Sequence, residues 1–254
     1  MKLARDTWLV FQRQMLLVAR SPMWIVFALA QPIAYLLLFA PMLKLALAAE
    51  GVTTFTAAYR IYVPGLLTLT AVFGGLFAGF SLLAEIRSGV IERARVTPTS
   101  RLALLLGRAL REVAMLLMQA VVITLLALPF GLRVSFWDLL LAYVLLGLLA
   151  LMAVAASYCF AMRVRNEAIL GPTIATVSQP VLLLSGVLLP LTLAPLWMTR
   201  IAQWNPFYWA TNGMRDLFNG HINAPTVWQS GIIIVVLAAV TVAWSVRLFT
   251  RAVQ

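Results

Sequence analysis

The sequence predicts an all-α polytopic membrane protein, and three observations carry that prediction. Of the 254 residues, 63% are hydrophobic and 11% charged, against about 45–50% and about 25% in soluble domains. The apolar residues fall into six runs of the roughly 20 residues that a helix needs to cross a bilayer. The charges are concentrated rather than spread: nine of the 19 Lys/Arg and 8 Asp/Glu lie within residues 85–112.

The net charge of +11 does not point to nucleic acid in such a chain, because basic residues of membrane proteins collect in loops beside anionic head groups. Cys159 is the only cysteine and lies in an apolar run, which excludes an internal disulfide. His221 is the only histidine and has no cysteine nearby, so no metal site of the usual kind is expected. No cleavable signal peptide is expected, since Lys2, Arg5, Asp6, Arg13 and Arg20 charge the N-terminal stretch and no A-x-A site follows.

Residues 1–22 read as an amphipathic interfacial helix. Lys2, Arg5, Asp6, Gln12, Arg13 and Arg20 share one helical arc, with Trp8, Val10, Phe11, Met15 and Val18 opposite. Leu9 and Leu16 break the pattern, and a plain tail is the alternative. Ser21-Pro22 marks the turn into the bilayer. Residues 23–254 read as a six-helix transmembrane domain, with spans at about Met23–Leu43, Tyr62–Ala84, Ala103–Leu128, Leu139–Met162, Ala168–Leu189 and Ser230–Val246. Gly65, Gly74, Gly75 and Gly79 in the second span allow close helix packing.

Two spans carry an amide beside a proline, Gln31-Pro32 and Gln179-Pro180, and each run ends in a second proline. The backbone groups that a proline frees need neighbouring helices or a water-lined cavity. Ordinary kinks and a substrate path fit equally well. Residues 190–222 read as one or two short helices that dip into or lie on the outer side. Their aromatic cluster, Trp197, Trp204, Phe207, Tyr208 and Trp209, suits a membrane interface.

Lys and Arg counts set the orientation. The termini, the island at residues 85–112, and Arg163 and Arg165 carry 14 of them, while Lys44, Arg60, Arg133, Arg200 and Arg215 make 5 on the other side. Both termini and the island are therefore expected in the cytoplasm, where the island faces water or a soluble partner.

Catalytic chemistry is missing. The only lysines, Lys2 and Lys44, follow Met1 and Leu43, so neither belongs to a phosphate-binding Gly-Lys-Ser/Thr loop. There is no GxSxG elbow and no HExxH helix. The span interiors are expected to carry no Asp or Glu, so the intramembrane carboxylate pairs of proton-driven carriers are not expected. Energy is expected to arrive from outside, through the island.

Within the island, Ser88 and Gly89 interrupt the helix leaving the second span. A short amphipathic helix follows, ended by Thr97-Pro98, and Ser100 is placed to cap a new helix beginning at Arg101. A solvated loop is the plainer alternative. The run Glu85, Arg87, Gly89, Glu92, Arg93, Arg95, Pro98, Ser100 and Arg101 resembles the cytoplasmic signature of type-2 ABC transporter permeases, notably drug exporters of the daunorubicin-resistance kind. Asn205-Pro206-Phe207-Tyr208-Trp209-Ala210, followed by Met214-Arg215, resembles that family's block before the last span. Ile91 departs from the small polar residue often found there.

The resemblance implies a half-transporter of two permease subunits, each docked on its own ATP-binding subunit. ATP and Mg would then be bound by those partners, and no cofactor by this chain. It implies that residues 89–95, within a coupling segment at 85–102, are the coupling helix. The implied setting is the bacterial inner membrane. The implied cargo is a hydrophobic or amphipathic compound such as a drug or lipid, with Gln31, Gln179, Trp204, Phe207 and Tyr208 as candidates for its path. A polysaccharide or glycolipid export permease of the same family is the near alternative, and a non-transporting anchor or assembly subunit the more distant one.

Overall fold

The apolar runs become helices because their interiors offer the backbone no partner but itself. A computed structural model of the chain describes residues 2–20, 22–46, 54–89, 100–187, 191 and 194–252, and all its regular structure there is helical. In chain order the helices are α1 (Lys2–Ala19), α2 (Pro22–Ala46), α3 (Phe55–Arg87), α4 (Arg101–Ala127), α5 (Phe136–Val164), α6 (Glu167–Leu183), α7 (Leu196–Ala202), α8 (Pro206–Phe218) and α9 (Pro225–Ala252). A 3-10 turn, Leu128–Phe130, ends α4.

Four helices among the described residues, α3, α4, α5 and α9, are long and apolar enough to cross a membrane. The protein is thus a multi-pass membrane protein. The 25-residue α2 and the 17-residue α6 are apolar too but fall outside that set. At 1.5 Å per residue α6 is about 26 Å long, short of a hydrocarbon core of about 30 Å.

Side-chain caps set many of the boundaries. Thr54 Oγ1 accepts from the Ala57 N–H at the start of α3, Ser100 Oγ from Ala103 at α4, and Asn166 Oδ1 from Ala168 at α6. Each satisfies a helix N–H that has no intrahelical acceptor. At the far end of α3, Ser88 and Gly89 leave the helix, and Gly89 has φ +67°.

The helix at the centre of the bundle is α3, which packs on α2, α4, α5, α6 and α8. Its glycines make this possible. A Cβ at Gly75 would lie 2.5 Å from Ala153 Cβ of α5, and one at Gly65 only 2.2 Å from the Val187 carbonyl oxygen. The core of Tyr62, Leu66, Leu67, Leu146, Leu149, Phe207 and Met214 gathers around α3, α5 and α8. The first helix lies along α4, and Thr7 and Gln14 are its buried residues, while Leu3, Trp8, Leu9, Leu16 and Leu17 are exposed. The exposed apolar residues suit an amphipathic helix at a head-group interface.

Candidate functional site

The charged island divides at Gly89. Its flanks fold back into the bundle, contrary to the expectation that the whole island faces water. Arg108 on α4 is 4% exposed, and its Nη2 lies 2.6 Å from Glu85 Oε2 at the end of α3. Gln14 Nε2 of α1 donates to Glu85 Oε1 at 3.2 Å. One turn further into α4, Arg111 pairs with Glu112. Ser81 Oγ lies 2.9 Å from Glu112 Oε1 and accepts from Arg111 Nη2 at 3.3 Å. Each of these groups has an opposite charge in contact, which offsets the cost of holding it away from water.

Glu112 also corrects the expectation of spans without carboxylates, since it sits inside the 27-residue α4 with only 17% of its side chain exposed. Arg108, Glu112 and Gln119 recur four and seven residues apart, a spacing that places them on one helix face. That periodicity was the readable signal. Gln14 gave none, because it looks like any polar residue of an amphipathic helix.

Arg111 and Glu112 also line the largest cavity described, about 630 Å³, bounded by α1, α2, α3 and α4. The rest of its wall is chiefly apolar, with Phe77, Phe80, Met115 and Leu116, and Ser81 and Gln119 supply further polar groups. A second cavity of about 200 Å³ shares Ala28, Gly74 and Gln119 with the first, and adds Gln31, Pro32, Tyr35, Thr70 and Phe73. Together they trace a groove along α2, α3 and α4, charged at one end by Arg111 and Glu112. Gln31, Thr70 and Gln119 offer it polar groups further along. Gln119 bridges across it, its Nε2 donating to the Ala28 carbonyl at 3.2 Å.

Of the residues proposed for a cargo path, Gln31 lines the smaller cavity. Gln179 is exposed on α6, and neither cavity includes it. Trp204 is 91% exposed between α7 and α8, while Phe207 is buried in the core. Tyr208 is half-buried and packs edge-on against Trp209. The structure therefore does not gather these five residues at one place.

Of the residues proposed to meet an ATPase, Glu85 is turned inward, and Arg87 pairs with Glu167 of α6 at 3.2 Å on the surface. Gly89 leaves the helix in the left-handed region, and Ser100 caps α4. Arg101 is the first residue of α4. Glu92, Arg93, Arg95 and Pro98 lie outside the described residues.

Two short helices, α7 and α8, form in the segment expected to hold one or two. Asn205 caps α8 through Oδ1, and its Nδ2 donates to the Val181 carbonyl at 2.7 Å. Arg215 is buried, although it looked like an ordinary loop charge. Its Nη2 donates to the Gly186 carbonyl at 2.6 Å and its Nε to the Ile61 carbonyl at 3.2 Å. Thus α8 supplies donors to the carbonyls where α6 ends beyond Pro180, and a cation there also meets the negative end of the helix dipole.

Comparison with known proteins fits this layout. The family model of the ABC-2 type transporter matches residues 5–219. A putative transport permease, ycf38, of Cyanophora paradoxa is 24% identical over 85% of this chain and 74% of its own. The ycf38 permease of Porphyra purpurea is 26% identical over 82% and 72%. The daunorubicin resistance ABC transporter permease protein DrrB1 of Streptomyces coeruleorubidus is 26% identical over 93% and 83%.

Proposed function

This chain belongs to the ABC-2 type transporter family, and from that premise we propose that it is the membrane permease subunit of an ATP-driven exporter. In this reading it moves a hydrophobic or amphipathic compound, drug-like or lipid-like, out of the cytoplasm or inner leaflet. The observation that carries the reading is the groove along α2, α3 and α4. Its walls are mainly apolar, and its charged end is the Arg111–Glu112 pair. A site of mostly apolar walls with a few placed polar groups is what a small amphipathic ligand needs.

The family and the sequence support the rest of the proposed assembly. Two copies of the chain, each spanning a bacterial inner membrane six times with α2 and α6 as the additional spans, associate with two ATP-binding subunits. Both termini face the cytoplasm. The segment at 89–95 docks on the ATPase, with Glu85 and Arg87 at its entry and Pro98, Ser100 and Arg101 at its exit. The drug-resistance relative supports a drug-like cargo. The exposed Trp197 and Trp204 favour a second reading, a polysaccharide or glycolipid exporter, because sugars stack on exposed rings.

The test is reconstitution. Purified alone, the permease shows no ATP hydrolysis. Co-purified with its ATP-binding subunit in vesicles, it hydrolyses ATP faster when cargo is added. Hydrolysis by the isolated chain, or a complex that hydrolyses ATP with no response to any amphiphile, contradicts the proposal.

A further inference from the structure

We propose that the outward face of α1 binds an anionic phospholipid, its phosphate meeting Arg13 and Arg20 and its upper acyl chain lying against Leu9, Leu16 and Leu17. These residues and Gln12 line an open crevice of about 390 Å³. The inference goes beyond the exporter reading, because it concerns the bilayer around the protein and not the cargo.

The packing of α1 decides which way this face points. The helix lies along α4, and its buried residues are Thr7 and Gln14. A Cβ on Gly107 of α4 would lie 2.7 Å from Val10 Cγ1 and 3.0 Å from the Thr7 carbonyl oxygen, so the two helices touch on that side. At helical spacing Leu9, Gln12, Arg13, Leu16 and Arg20 fall on the opposite side. All five are exposed.

The sign of the ligand follows from the charges. The crevice is lined by two guanidinium groups and no carboxylate. The ion pairs among the described residues are Arg87–Glu167, Arg108–Glu85 and Arg111–Glu112, so none of them takes up Arg13 or Arg20. Asp6 stands seven residues before Arg13, about 10 Å away along the helix axis. Against that one acid, residues 2–20 hold the four cations Lys2, Arg5, Arg13 and Arg20. A guanidinium fork matches phosphate oxygens.

The leucines decide that the anion is a lipid. Leu9, Leu16 and Leu17 are 52%, 61% and 52% exposed, interleaved with the arginines. A soluble anion would leave them in water. At the boundary of head groups and acyl chains they reach into hydrocarbon, while the long arginine side chains extend to the phosphates.

The experiment titrates the purified full-length chain, in neutral detergent, with dihexanoyl phosphatidylglycerol and dihexanoyl phosphatidylcholine, which share their chains and differ in net head charge. The glycerol lipid is expected to bind at least about ten-fold more tightly, as two basic side chains at an anionic head imply. R13Q/R20Q is expected to remove the preference and R13K/R20K to keep most of it. R163Q/R247Q, which removes the same charge from exposed positions on α5 and α9, is expected to leave it unchanged. Inorganic phosphate at the lipid's concentration is expected not to displace it. Equal binding of the two lipids overturns the proposal, as does displacement by inorganic phosphate or an equal loss of preference in R163Q/R247Q. So does a natively eluting R13Q/R20Q chain that keeps the preference. If that chain also fails to co-purify with the ATP-binding subunit, the face belongs to a protein partner instead.

Discussion

Arg108 and Glu85 show how a charge survives inside an apolar bundle. Replacing Arg108 with Met leaves Glu85 partly buried without its cation, a loss of about 3–5 kcal/mol where one partner of a buried pair is removed. Thermal unfolding in detergent is expected to show R108M far below the parent, and R108M/E85L much closer to it. Equal destabilisation of the two variants would contradict the pairing. Tyr158 behaves oppositely. It is buried on α5, and its hydroxyl has no hydrogen-bond partner among the described residues. Removing an unsatisfied polar group relieves its desolvation cost, so Y158F is expected to match or exceed the parent in the same measurement. The island itself was plain in the sequence, but which of its charges turn inward was not. Charge spacing identifies a helix face, whereas the partners of that face come from α1 and α3, 71 and 23 residues away in sequence for the Gln14–Glu85–Arg108 chain.

At the scale of the element, α3 and the end of α6 carry the argument. The glycines of α3 let α5 approach to a distance that a side chain forbids, so G75V is expected to cost about 1–3 kcal/mol as an overpacked contact. A lower unfolding midpoint in detergent measures it, and no change would show that α3 and α5 part easily. The close packing was legible because small residues recur in an apolar run. The end of α6 was legible only in part. Both Gln-Pro pairs look alike in sequence, yet α2 continues past Pro32 while α6 stops three residues after Pro180. The difference lies in α8, whose Asn205 and Arg215 take up the carbonyls of Val181 and Gly186. No local pattern around Pro180 announces donors supplied from more than 20 residues downstream. R215M is expected to expose the 184–205 connection to proteolysis, because the Gly186 carbonyl then loses its charge-assisted donor.

For the whole molecule, composition alone identified a multi-pass helical membrane protein, and the family match accords with the resemblance of two short motifs. The groove was not legible, because its walls come from four helices whose packing no single run encodes. We propose that a separate ATPase drives this chain through residues 89–95. The direct test is the charge-reversed pair E92K/R93E in the permease, co-expressed with its ATP-binding subunit and reconstituted in vesicles. Cargo-stimulated ATP hydrolysis is expected to fall to the unstimulated level, with the permease still inserted in the membrane at parental abundance. Stimulation equal to that of the parent would contradict the claim.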